Sequence, residues 1–226
     1  GTRVWSTEHG TAQERKVEEM IQAVGLDPKE ARTRRPHEYS GGQCQRISVA
    51  RALVLDPKVI ICDEPVSSLD VSVQARILNM LQDMKEEYGL TRLFISHDLS
   101  VVKTVSDRVA VMYLGKICEI GDGDLIYEKP THPYTRLLLA AIPDPENKHK
   151  DITDILEGEL PSPLNPPSGC RFRTRCPRAA EKCADEEPEF RQIGRDDHWV
   201  ACHFPHIEDD ELVSDDEISW PPDGQE

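Results

Sequence analysis

Two short, almost wholly apolar runs constrain this chain more than anything else in it. "KVIICDEP" (Lys58–Pro65) and "TRLFISHD" (Thr91–Asp98) each end in charged or imidazole side chains. A strand exposed on one face alternates apolar with polar residues, whereas an unbroken apolar run suits a strand buried on both faces. Between them, "SLDVSVQARILNMLQDMKEEYG" puts Val71, Ala75, Leu78, Leu81 and Tyr88 on one predicted helical face, with Gly89 as its stop. Two strands joined through a helix of that length pair in parallel. The fold class that follows is α/β with a parallel sheet.

The pattern continues on both sides. Val17, Met20, Ile21 and Val24 have helical spacing, and "GLDP" closes that helix at Gly25. A basic, proline-broken connector, "ARTRRPHEY", leads to a second predicted helix over Gly42–Leu55. Downstream, "LSVVKTVS" reads as a short helix, "RVAVMYLGKICEIG" as two strands about Leu114-Gly115, and "THPYTRLLLAAIP" as a helix. The character then changes to "LEGELPSPLNPPSGCRFRTRCPRAAEKC", rich in Pro and Gly and without periodicity. A boundary near residue 130 is expected, with 1–130 as one domain and 131–206 as a small appendage stapled by cysteines rather than by a core. From Glu208 to Glu226 stand nine carboxylates and no Lys or Arg, so 207–226 is expected to be a disordered acidic tail.

The 226 residues carry 27 basic and 42 acidic side chains, a formal net charge of −15. That balance argues against nucleic acid or an anionic membrane surface as the main partner. No apolar stretch reaches the roughly 18 residues that a membrane-spanning helix needs, and the start is not that of a secretory signal. The first residue is not Met, which reads as a cut through a longer protein.

Three places could carry chemistry. Asp63 and Glu64 follow a strand, at the sheet edge where ligands bind in such folds. They suit a Mg²⁺ carboxylate and a base for a water attacking a γ-phosphate, or merely a turn and a helix cap. His97 ends the second strand, where it would either meet the same phosphate or be an ordinary loop histidine. In "SGGQ", Ser40, Gly41, Gly42 and Gln43 open a helix whose free N–H groups and positive dipole end suit an anion, although Gly before a helix is often a plain turn. Asp70 in "SSLD" stands where an N-cap would explain it fully.

Taken in order, "YSGGQCQRISVARALVLDPKVIICDEPVSSLD" and then "FISHD" resemble the nucleotide-binding subunit of ABC transporters. "SGGQ" looks like that family's signature, "VIICDE" like its second nucleotide motif, "SSLD" like its D-loop and "SH" like its switch histidine. The resemblance implies a parallel-sheet core with a helical signature subdomain and a small Cys-containing C-terminal appendage. It implies Glu64 as catalytic base, His97 as γ-phosphate sensor, Asp63 for Mg²⁺, and Ser40, Gly41, Gly42, Gln43 and Asp70 toward the ATP of a partner subunit. "THPYTRLLLAAIP" and the cysteine-bearing region are similar to the oligopeptide/dipeptide importer branch. That branch implies a head-to-tail second ATPase, two membrane permeases, an extracytoplasmic peptide-binding protein and the cytoplasmic face of the inner membrane. A soluble ABC-type ATPase without a permease, a redox-sensing module, and an importer of nickel or another small solute are the rival readings.

A phosphate loop of the form G-x-x-x-x-G-K-[ST] is absent from the chain, whose only Gly-Lys is Gly115-Lys116. The chain is therefore expected to be the C-terminal two-thirds of a subunit, lacking roughly 100 residues by ordinary domain size and inactive toward ATP alone. Of seven cysteines, Cys44, Cys62 and Cys118 are scattered, whereas Cys170, Cys176, Cys183 and Cys202 cluster. Their spacing lacks the close Cys pair usual in zinc sites, and Cys176-Pro177 is similar to the Cys-Pro that ends ferredoxin-type motifs. By the resemblance these four hold a [4Fe–4S] cluster. Zinc, with help from His198 or His203, and unliganded thiols are the alternatives.

Overall fold

The computed structural model describes residues 10–142, 159–194 and 197–207. The expected acidic tail lies outside them from residue 208 onward. Two compact units divide between Asp98 and Leu99.

In the first unit, α1 (Thr11–Ala23) and α2 (Pro28–Thr33) precede α3 (Gly41–Leu53). Pro28 sits at the start of α2, where its missing N–H costs nothing, and the Asp27 carboxylate caps it by accepting from Lys29 N at 2.8 Å. β1 (Val59–Asp63), α4 (Val71–Tyr88) and β2 (Thr91–Ile95) follow. The strands pair in parallel with Val59 opposite Thr91 and Asp63 opposite Ile95, so both carboxyl ends meet at one edge. Asp70 caps α4 by accepting from Val73 N at 3.0 Å, and Gly89 ends it at φ 59° and ψ 41°, the left-handed conformation glycine favours.

Two sequence expectations change here. Ile60 and Cys62 are buried, but Val59, Ile61, Leu93 and Ile95 are more than 40% exposed, so the β1–β2 pair is covered on one face among the described residues. On α4 the buried stripe is Ile77, Leu81 and Met84, while Val71 is 84% exposed and Tyr88 37%. Residues 77, 81 and 84 share a face one turn at a time. That face joins Met20, Val24, Val49, Ala50 and Leu53 among the unit's buried residues. Each such side chain contributes about 1.5–3 kcal/mol when fully buried.

The second unit begins with α5 (Leu99–Val105), then β3 (Arg108–Tyr113) and β4 (Lys116–Asp122). The hairpin between them turns at Leu114 (φ 46°) and Gly115 (φ 78°), the two positive φ angles that a tight hairpin turn requires. After α6 (Gly123–Glu128), Pro133 starts α7 (Pro133–Ala140), and His132 caps it by accepting from Tyr134 N through Nδ1 at 3.0 Å. α8 (Lys182–Asp185), β5 (Phe190–Gln192) and β6 (His198–Ala201) complete the unit. Its sheet is antiparallel in the order β3-β4-β6-β5, so strands from either side of residue 130 share one ladder. Gly121 permits this, because a Cβ there would meet Asp197 O at 2.5 Å. The region beyond 131 also has apolar support of its own, with Phe172, Ile193, Trp199 and Val200 all under 5% exposed. The expectation of a segment held by cysteines in place of a core gives way to that packing.

Candidate functional site

The parallel register brings the ends of β1 and β2 side by side, and the residues just past them meet. Glu64 N donates to Ile95 O at 2.9 Å, extending the ladder one step beyond Asp63. At that step the chain turns sharply, with Glu64 at φ 47°, a left-handed conformation that costs a non-glycine residue about 1–3 kcal/mol. The turn aims the carboxylate at His97. Oε1 accepts from His97 Nδ1 at 2.7 Å and from His97 N at 3.2 Å. A carboxylate can only accept when ionised, so the imidazole proton sits on Nδ1 and Nε2 faces away from Glu64. Glu64 Oε2 is left without a protein partner among the described residues. The Glu64 hydrogen bond, reinforced by its charge, raises His97 above the ordinary histidine value of 6.5. Asp63 ends β1 exposed to solvent on the same edge.

The signature segment is built by capping. Ser40 Oγ accepts from Gln43 N at 3.3 Å, and Gln43 Oε1 accepts from Ser40 N at 3.0 Å, a reciprocal box that fixes the start of α3. The first intrahelical bond runs from Cys44 N to Ser40 O at 2.9 Å, so the N–H groups of Gly41 and Gly42 have no acceptor within the helix. Gly42 has a steric reason to be glycine: an added Cβ would lie 2.6 Å from Val73 Cγ1 on α4. Gln45 Nε2 donates to Pro65 O at 2.7 Å, tying the signature helix to the turn after Glu64. Asp70 is committed to capping, accepting from Ser72 Oγ at 2.8 Å besides Val73 N. Those two bonds lower its carboxyl below the usual range, that from Val73 N most.

This edge can therefore present a carboxylate with one free oxygen, an imidazole oriented by it, and a second carboxylate beside both. A cavity of about 510 Å³ between α1 and α2, lined by Val17, Ile21, Pro28, Ala31 and Arg32, contains none of these groups.

In the second unit the four clustered cysteines are free thiols. Cys170 N donates to Cys183 O at 2.8 Å, and Cys170 and Cys176 pack against the buried cluster of Tyr113, Cys118, Leu137 and Phe172. Burial pushes the Cys202 thiol up to about 12, with Cys170, Cys176 and Cys183 adding to the rise. Among the described residues no group of three His, Cys, Asp or Glu could hold a metal ion. The expected metal site thus has no support in this arrangement, zinc least of all. His198 is spent on Glu119 at 2.7 Å, and His203 Nε2 donates to Glu186 O at 3.0 Å.

Sequence reasoning passed over Glu119 entirely. It is 0% exposed and accepts from Thr131 N and Oγ1 at 2.7 Å each, from His132 N at 3.0 Å and from His198 Nε2 at 2.7 Å. Its signal was a lone carboxylate inside the apolar strand "KICEIG".

The chain as a whole is similar to known proteins. Residues 2–67 match the family described as ABC transporter, and residues 118–183 match the oligopeptide/dipeptide transporter C-terminal region. The oligopeptide transport ATP-binding protein OppF of Escherichia coli (strain K12) is 56% identical over 189 residues, 83% of this chain and 56% of that protein. The chain belongs to the ABC transporter family. The oligopeptide transport ATP-binding protein AppF of Bacillus subtilis (strain 168) is 53% identical over 191 residues, covering 84% of this family member and 57% of AppF. The chain thus spans little more than half the length of these curated relatives. An ABC transporter solved in an inward-facing conformation superposes at a TM-score of 0.50 over 55% of this chain and 49% of that one, at 24% identity, which shows the shared fold alone. Among the described residues no helix is long and apolar enough to cross a membrane.

Proposed function

We propose that the intact protein is an ATP-hydrolysing motor subunit of a transporter that imports oligopeptides or dipeptides. The observation that carries this is the Glu64–His97 pair at the carboxyl edge of a parallel sheet, 2.7 Å apart, in a chain whose relatives are named for oligopeptide transport. Neither a soluble ABC-type ATPase nor a nickel importer is favoured by those names. Glu64 is the general base, its free oxygen turned to the attacking water while His97 holds the other. His97 Nε2 faces the γ-phosphate and senses its loss. Asp63 would hold Mg²⁺, which supplies charge neutralisation on the phosphates. Ser40, Gly41, Gly42 and Gln43 cap the γ-phosphate of ATP on a head-to-tail second ATPase, the N–H groups of Gly41 and Gly42 having no acceptor within the helix. Asp70 positions the start of α4 at that junction. Residues 1–130 carry this chemistry, and 131–206 the importer-type C-terminal region.

Two permeases and an extracytoplasmic peptide-binding protein complete the assembly, with this subunit at the cytoplasmic face of the inner membrane. The 226-residue chain alone does not turn ATP over, because it has no lysine-bearing phosphate loop. As a finer part of the reading, Cys170, Cys176, Cys183 and Cys202 hold an iron–sulfur cluster, or zinc in its place. Support comes from the sequence resemblance alone. The test is reconstitution of the intact subunit with its permeases and binding protein in liposomes. Peptide is expected to stimulate ATP hydrolysis and to accumulate inside. Stimulation by nickel but not by peptide, or ATPase activity indifferent to permeases, would overturn the proposal.

A further inference from the structure

The left-handed turn at Glu64 stores strain that persists only where its surroundings fix it. Three fasteners do so. Glu64 N donates to Ile95 O at 2.9 Å, which holds the turn to the sheet. Glu64 O accepts from Ser67 N at 3.4 Å and from Ser67 Oγ at 3.2 Å, which closes the turn on itself. The third arrives from α3, where Gln45 Nε2 donates to Pro65 O at 2.7 Å. A carbonyl only accepts, so the amide nitrogen of Gln45 is the atom that faces Pro65. Pro65 is buried and has no N–H, and Gln45 is the one donor to its carbonyl among the described hydrogen bonds. A buried carbonyl stripped of its donor is unfavourable, so the turn stays where Gln45 reaches it.

The helix that carries Gln45 is itself seated on two sides. Arg46 Nη1 donates to Val24 O at 3.4 Å and to Gly25 O at 3.5 Å, at the end of α1. At the start of α3, Gly42 lies so close to Val73 of α4 that an added Cβ would meet its Cγ1 at 2.6 Å. The two amides of "SGGQCQR" thus have separate tasks. Gln43 closes the cap at the helix start. Gln45, in the next turn of the helix, makes the one described hydrogen bond from α3 to the segment that aims Glu64.

We propose that Gln45 is a positioning residue for hydrolysis, its bond to Pro65 O holding the Glu64 turn in register with the start of α3. This rests on the reading of Glu64 as general base given under the proposed function. Through that one side chain, the helix start that caps the second subunit's ATP and the carboxylate of this subunit's own site keep a single alignment. Alignment matters because a misplacement of about 1 Å can cost roughly 100-fold in rate.

The test measures ATP turnover and ATP binding by the intact subunit assembled with its permeases. Four forms are compared: wild type, Gln45→Met, Glu64→Gln and the double variant. Methionine has nearly the helix propensity of glutamine, and a similar length, but no donor. Gln45→Met is expected to lower kcat about tenfold with the KM for ATP little changed. On the Glu64→Gln background it adds no further loss, because it acts through that carboxylate. Turnover that survives Glu64→Gln overturns the general-base reading before Gln45 is compared. With Glu64→Gln impaired, an unchanged kcat in Gln45→Met overturns the Gln45 proposal alone. So does loss of ATP binding in place of kcat, which marks a merely structural role, or an equal further loss in the double variant.

Discussion

Glu64 and His97 are exposed enough for solvent to reach them, and their pairing still sets the protonation of the imidazole. Because the folded value of His97 is raised above 6.5, the pair's contribution to stability is fully present below the unfolded value. It is lost as pH rises through the folded one. Following the His97 ring protons by NMR should give a midpoint above that of an ordinary histidine. In Glu64→Gln the midpoint should fall back, and a midpoint that does not respond to the substitution would break the pairing. The two residue types and their order were legible in the sequence, since each ends an apolar run. The geometry that joins them was not. It depends on a positive φ at Glu64 and on strand register, neither of which any local pattern encodes. Asp70 shows the opposite case, where local capping chemistry was readable and was found as expected.

Periodicity gave the elements and their order well and their buried faces less well. The helix α4 carries apolar residues on more than one side, so the pattern admitted a stripe through Val71 and Tyr88, whereas its neighbours cover Ile77, Leu81 and Met84. Which face is buried is decided by the elements packed on it, and that information is not in the helix itself. The same limit hid Glu119. Burial alone would raise its carboxyl, but hydrogen bonds from His198 and Thr131 outweigh that and hold it below the usual range. The Thr131-His132 turn, the strand β4 and the strand β6 are thereby fastened to one carboxylate. Glu119→Ala strands these buried donors and should destabilise the protein by about 3–5 kcal/mol in urea unfolding. In the wild type this contribution is present above the unfolded carboxylate value and fades as pH falls through the depressed folded one. A variant as stable as wild type would show that the buried cluster does not fasten the sheet.

At the scale of the whole molecule, motif order pointed to an ABC-type α/β chain, and the family matches agree. What composition missed is that the region beyond 131 joins the β3–β4 hairpin in one sheet, because pairing across so many residues leaves no local trace. The chain spans little more than half of its curated relatives, so the catalytic claim belongs to the intact subunit. There, hydrolysis should depend on the Glu64 carboxylate as general base. The most direct measurement is ATP turnover and ATP binding by the intact, assembled transporter carrying Glu64→Gln. Turnover is expected to fall by about 100-fold or more while ATP still binds. Turnover at the wild-type rate would contradict the assignment of Glu64 as the base.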